Sequence, residues 1–251
     1  MRIGGFQRSS LIDYPGKVCA VVFTQACNFR CPYCHNPELV YPELFNEPIP
    51  EENVLSFLGM RKGMIDGVVI TGGEPLLQED SRDFLKDIKE MGYLIKLDTN
   101  GSNPTAIERI LKDGLLDYIA IDYKAPLMTY RKITGVEVKT QDIKRSIELA
   151  VSSEIPYEIR TTVFSSLSPD NLIEMMEELY VFRVKSYFLQ MFVPWPGCRC
   201  DFSQMDINID HLLQNLACRF WRYGIRNISK EEQYHYADNR GKDKYPEQNC
   251  I

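Results

Sequence analysis

The chain has 251 residues and a formal net charge of −6, with 44% hydrophobic and 25% charged side chains. That balance describes an ordinary globular protein with enough chain to bury one large core. No apolar run approaches the ~20 residues that span a bilayer, and the start of the chain lacks the long apolar core of a secretory signal. The acidic balance argues against a protein that coats nucleic acid. A cytoplasmic protein without membrane or nucleic-acid partners is therefore expected.

The first strand-like run is 18–24, apolar and β-branched. It opens into the loop Cys27-Asn28-Phe29-Arg30-Cys31-Pro32-Tyr33-Cys34. The next strand, 67–71, ends in Thr71-Gly72-Gly73-Glu74-Pro75. An amphipathic helix over 79–91 places Phe84, Leu85, Ile88 and Met91 on one face. A third strand, 93–98, runs into Thr99-Asn100-Gly101. Asn103-Pro104 then offers an N-cap followed by proline at the first helical position.

A fourth strand over 118–122 precedes Lys124-Ala125-Pro126, and a helix over 141–151 follows. The fifth strand is 157–164, after which Ser168-Pro169 repeats the cap-and-proline signal. The sixth is 187–192, before Val193-Pro194. Beyond it, 206–221 reads as a helix and 223–228 as a short strand. The remaining segment, 229–251, is polar and reads as a tail. One domain is expected over 1–228, with core strands within 18–192.

Six strands alternating with helices imply parallel pairing and right-handed crossovers. Six units are fewer than the eight of a closed barrel, so the expected fold is α/β, a partial (β/α)6 barrel; a flat doubly wound sheet is the rival. Both place function at the C-terminal ends of the strands. The glycine-rich, polar and cysteine-bearing positions gather there.

Eight cysteines would form a disulfide framework only in a small secreted chain, so the clustered three read as metal ligands. Cys27, Cys31 and Cys34 can hold three corners of a cubic iron–sulfur cluster, leaving one iron for a small molecule. Zinc is the alternative, with His35 as a fourth ligand. Cys19 and Cys218 read as buried free thiols. Cys198, Cys200 and Cys250 are not placed, although Cys198 and Cys200 could bind metal or pair. His211, His235, Trp195 and Trp221 read as surface or packing residues. Gly72 and Gly73 would let the backbone approach a ligand, and Glu74 would accept a hydrogen bond from an amine.

The cysteine trio, with aromatic Tyr33 before its last member, resembles the signature of the radical S-adenosylmethionine superfamily. Gly72, Gly73 and Glu74 resemble its segment for the methionyl amine. The resemblance implies that a reduced 4Fe-4S cluster cleaves S-adenosylmethionine to methionine and a 5′-deoxyadenosyl radical. Across residues 6–194, the runs Gly5-Phe6-Gln7-Arg8-Ser9-Ser10-Leu11-Ile12-Asp13-Tyr14-Pro15-Gly16-Lys17 and Cys34-His35-Asn36-Pro37-Glu38-Leu39 look like the glycyl-radical-enzyme activases. The group that activates anaerobic ribonucleoside-triphosphate reductase is the most similar.

The same resemblance implies that Asp98 and Asp122, with adjoining backbone, hold a monovalent cation, that Tyr33, Thr99 and Asn100 contact the cofactor, and that Lys124 pairs with the methionyl carboxylate. Arg160 would meet that carboxylate or the substrate peptide, with a structural ion pair as the equal alternative. Gln190 is a further cofactor contact, and Phe192 stands where related activases carry a ligand-contacting histidine. The implied partner is a glycyl radical enzyme, with the 10–17 segment shaping the cleft or docking its loop. The electron would come from an external flavodoxin or ferredoxin. The alternatives are a superfamily enzyme acting on a small molecule, peptide or RNA, and a non-catalytic iron–sulfur protein.

Overall fold

The computed structural model describes residues 1–195 and 207–228 and the backbone of 234–238. Its frame is a nine-stranded sheet whose spatial order follows the chain. The strands are β1 (Ile3–Ser10), β2 (Cys19–Thr24), β3 (Gly67–Gly72), β4 (Leu94–Thr99), β5 (Tyr118–Asp122), β6 (Tyr157–Val163), β7 (Ser186–Met191), β8 (Arg222–Arg226) and β9 (Tyr234–Asp238). β2 through β8 pair in parallel, while β1 and β9 run antiparallel at the two ends. Among the described residues β1 and β9 do not pair, so the sheet stays open. One cavity is lined both by the 11–15 loop, between β1 and β2, and by β8. The sheet therefore curls into a partial barrel, as expected, rather than lying flat.

The helices are α1 (Glu51–Met60), α2 (Ser81–Glu90), α3 (Pro104–Lys112), α4 (Tyr130–Thr134), α5 (Thr140–Ser152), α6 (Pro169–Val181) and α7 (Ile209–Arg219). Each long helix buries a stripe at helical spacing: Phe84, Leu85 and Ile88 on α2, Ile143, Ile147 and Ala150 on α5, Leu172, Met175, Met176 and Leu179 on α6. These stripes pack with apolar strand residues in one large core, and Cys19, Val21, Val69 and Tyr118 on the opposite face of the sheet form a smaller cluster with Tyr14. Burying an aliphatic side chain of this kind contributes about 1.5–3 kcal/mol.

The six expected strands and the short one after them are present. β1 and α1 were not anticipated, nor was β9, which lies within the segment read as a polar tail. Cys19 is a buried free thiol, as expected. Cys218 corrects the reading: it lies half-buried on α7 and is disulfide-bonded rather than a free thiol. Cys198, Cys200, Cys250 and the His235 side chain lie outside the described residues. His211 is exposed at the start of α7. Among the described residues, no helix is long and apolar enough to cross a membrane.

Candidate active site

The cysteine loop begins with a backbone irregularity. Ala26, just past β2, has φ 75, a left-handed conformation that costs a non-glycine residue about 1 kcal/mol or more. Two hydrogen bonds hold it: its amide donates to Leu39 O (2.8 Å), and its carbonyl accepts from the Glu74 amide (2.8 Å). The turn carries Cys27 out of the strand direction. Arg30 braces the loop from below, donating to the carbonyls of Cys27 (2.6 Å) and Phe29 (2.8 Å). The Phe29 amide and the Asn100 side chain both donate to Cys27 Sγ, at 3.4 and 3.9 Å.

Burial pushes all three thiols up, Cys27 to about 12, so each must exchange its proton for a metal on binding. Among the described residues, no three His, Cys, Asp or Glu side chains converge on a single-ion position. A structural zinc ion takes four protein ligands, and the three cysteines supply only three at this cavity. His35 is also committed elsewhere. Its Nε2 is 3.1 Å from Val193 O, and its ring stacks at 4.8 Å on both Phe192 and Trp195. The zinc alternative lacks its fourth ligand.

The Gly-Gly-Glu-Pro turn serves this loop as much as any ligand. A Cβ on Gly72 (φ +118) would lie 2.2 Å from the Thr24 amide nitrogen, and one on Gly73 would lie 2.0 Å from Ala26 O. The two glycines therefore let the turn close against the exit of β2. Glu74 is 1% exposed. Its Oε1 accepts from Thr99 Oγ1 (2.7 Å) and the Leu76 amide (3.1 Å), and its Oε2 accepts from the Asn100 amide (2.7 Å). Burial outweighs these donors and pushes its carboxyl up to about 7. The glutamate clamps the turn to the end of β4, and Gly72 and Gly73 line the smaller of the two main cavities.

Along the inner wall runs a ladder of charge. Asp98 pairs with Lys96 and, at 3.1 Å, with Arg160 Nη1. Arg160 Nε and Nη2 both lie 2.9 Å from Asp122 Oδ1, and Lys124 Nζ is 3.4 Å from Asp122 Oδ2. Burial raises the Asp122 carboxyl, but the charges of Arg160 and then Lys124 more than offset this and hold it at about 2. Beyond Arg160 the ladder reaches Glu158, 2% exposed, which takes Arg226 on both oxygens at 3.2 and 2.7 Å.

The sequence reading missed Lys96, Glu158 and Arg226. A signal was available: Lys96 and Asp98, like Glu158 and Arg160, are charges two residues apart on otherwise apolar strands. At that spacing side chains share one face of the sheet.

Two cavities meet at Asp98. One, of about 200 Å³, is lined by Cys27, Cys31, Cys34 and Tyr33, by Gly72 and Gly73, and by Asp98, Thr99, Asn100, Asp122 and Lys124. These eleven were singled out from sequence; Phe29, His35, Asn36, Val40, Thr71 and Thr162 line the cavity as well. The other, of about 520 Å³, takes in Asp98, Arg160 and Gln190, together with Glu158, Arg226 and the 11–15 loop. Tyr33 is 5% exposed. It packs on Phe164 at 4.2 Å between centroids and lies 5.9 Å beneath Lys124 Nζ. Its hydroxyl is fully buried beside Cys31, whose thiol it helps to hold down against the effect of burial. Three soft sulfur donors and a lysine facing one cavity fit an iron–sulfur cluster with a polar, carboxylate-bearing companion.

The family model described as the radical SAM superfamily matches residues 21–180. A protein of Methanocaldococcus jannaschii, named as a candidate glycyl-radical enzyme activating enzyme, is 33% identical over 86% of this chain and 90% of its own length. The pyruvate formate-lyase-activating enzyme of Clostridium pasteurianum is 37% identical over 49% of this chain and 52% of its own. A probable GTP 3′,8-cyclase of Thermococcus kodakarensis is 31% identical over 62% of this chain, which spans 51% of the cyclase. Among solved structures, TYW1 with a lysine-pyruvate adduct superposes with a TM-score of 0.63 at 18% identity, covering 91% of this chain and 82% of that one. Streptococcus suis SuiB bound to S-adenosylmethionine gives 0.60 at 15%, covering 78% and 45%. Those two likenesses establish the fold.

Proposed function

We propose that this chain, which belongs to the radical S-adenosylmethionine superfamily, is an activase that abstracts hydrogen from a glycine of a partner enzyme, and that the partner is an anaerobic ribonucleoside-triphosphate reductase. The observation that carries the reading is the second cavity. About 520 Å³ of space adjoins the cysteine pocket at Asp98 and lies beneath the 11–15 loop, where Leu11 and Ile12 are 77% and 76% exposed. A glycine-bearing polypeptide loop has room there, with two apolar side chains at the rim to meet it. The similarity to the Methanocaldococcus protein, over 86% of this chain and 90% of that one, supports the same reading.

In this reading Cys27, Cys31 and Cys34 hold the 4Fe-4S cluster. When bound, cluster and S-adenosylmethionine supply a one-electron cleavage of a carbon–sulfur bond and a carbon radical that removes hydrogen. The chain's own residues bind and orient. Gly72 and Gly73 offer backbone to the methionyl amine, and Lys124 pairs with the carboxylate. Asp98, Thr99 and Asn100 form the adjacent wall, and Tyr33 and Gln190 make further cofactor contacts. An external flavodoxin or ferredoxin supplies the electron.

Anaerobically reconstituted protein, mixed with reductant, S-adenosylmethionine and an anaerobic ribonucleotide reductase, should give a glycyl doublet in electron paramagnetic resonance and a matching yield of 5′-deoxyadenosine. Cofactor cleavage with no protein radical on any glycyl radical enzyme would overturn the activase assignment and favour a small-molecule substrate. Cys31→Ala should abolish both cluster and cleavage; retained iron and turnover would refute the ligand set.

A further inference from the structure

The resemblance to pyruvate formate-lyase activases leads to the expectation of a monovalent cation between Asp98 and Asp122, but the donors found there do not fit one. Each of the four carboxylate oxygens already faces a cationic nitrogen of this chain. Asp98 Oδ1 has Lys96, Asp98 Oδ2 has Arg160 Nη1 at 3.1 Å, Asp122 Oδ1 has Arg160 Nε and Nη2 at 2.9 Å, and Asp122 Oδ2 has Lys124 at 3.4 Å.

Arg160 is placed by the sheet itself. It lies opposite Asp122 in the β5–β6 register, so its side chain rises from the same inner face. Its side chain is 11% exposed, and Nη1, which meets Asp98, also lies 3.8 Å from Glu158 Oε1. A planar guanidinium with several fixed donors suits the bridging of two carboxylates, which a point-charge ammonium does less well. An alkali ion placed between the aspartates would have to strip these donors away and would sit among three positive charges with little water to screen them.

We infer that Arg160 is a positioning residue that supplies from within the chain the charge between Asp98 and Asp122, so that this protein binds its cofactor without an alkali cation. Lys124 is thereby left with its remaining N–H donors for the carboxylate of the ligand. The inference rests on superfamily membership and is independent of whether the radical acceptor is a glycine.

The test compares potassium, sodium and choline chlorides at equal ionic strength. For the reconstituted holoenzyme, the dissociation constant of S-adenosylmethionine should change by less than about twofold among the three salts, and sodium-23 relaxation should show no saturable site. Arg160→Met should weaken binding in choline by about tenfold or more, with potassium or sodium restoring part of the loss, and should create a saturable sodium site. Arg160→Lys should remain indifferent to the salt. A severalfold gain in affinity from potassium in the unaltered protein, or a saturable sodium site in it, overturns the inference. Both measurements on the unaltered protein decide the matter even if Arg160→Met does not fold, and the sodium measurement needs no bound cofactor.

Discussion

Glu74 carries the most revealing chemistry at the scale of single residues. Read along the sequence it is a free acceptor at the end of a strand; in the fold it is a buried clamp with three protein donors. Its carboxyl, pushed up to about 7 by burial, fixes the sign of a pH effect. The folded form holds its proton more tightly than the unfolded chain does. The contribution is therefore full below about pH 4.5 and is lost as pH rises through about 7. The cofactor-free protein should lose on the order of 3 kcal/mol from this group between pH 5 and 8. Glu74→Gln, which cannot ionise, should remove that slope. Urea midpoints for both proteins across this range provide the check, and parallel pH profiles would show that Glu74 stays charged throughout. The neighbouring glycines show the same division: that they permit close approach was readable, but that the approaching partner is the Ala26 carbonyl was not.

At the scale of elements, local signals proved sufficient wherever they were dense. Asn103 caps α3 by accepting from the Ala106 amide at 3.1 Å, and Ser168 forms a reciprocal capping box with Asn171, both at the predicted cap-and-proline pairs. Asn103 also donates to Leu76 O at 2.9 Å, tying α3 to the turn behind Glu74. Asn103→Ala should therefore cost about 1–2 kcal/mol, at the upper end of a cap deletion. It should also lower cluster retention under mild urea, since the tied turn closes on the cysteine loop. A loss of stability with unchanged iron retention would show that the tie to Leu76 is incidental.

β1 and α1 escaped detection because their signals are weak. β1 contains two glycines and several polar residues and has register shifts at two places, so pairing with β2 defines it more than its own pattern does. α1 buries only Val54 and Leu58 and has proline at its cap position with no side-chain acceptor.

At the scale of the whole molecule, the open barrel has a charged inner wall where a closed barrel would pack aliphatic layers. Glu158 on β6 and Arg226 on β8 tie the wall together across β7. With Arg226 and then Arg160 offsetting its burial, Glu158 is held at about 2. Its pairing therefore contributes fully above about pH 4.5 and is lost as pH falls toward 2. Arg226→Met would leave a buried carboxylate with Arg160 at 3.8 Å and the Tyr118 hydroxyl at 3.2 Å. The expected cost is on the order of 3 kcal/mol, with an acid-unfolding midpoint shifted upward. Adding Glu158→Gln should recover more than half of the loss. A single variant as stable as the parent would place the support of Glu158 elsewhere.

The sequence by itself determined the alternation of the six core strands with their helices and the gathering of three cysteines on one loop. Both rest on short-range facts: apolar periodicity, cap residues and the spacing of three cysteines on one loop. Only the tertiary structure decided what each charged group meets. Asp98, Asp122, Lys124 and Arg160 were all singled out, but their pairing depends on the register that sets Asp122 beside Arg160 and on the curl that brings β4 and β6 to one wall. Register and curl arise from packing across the whole sheet, so no window of sequence contains them.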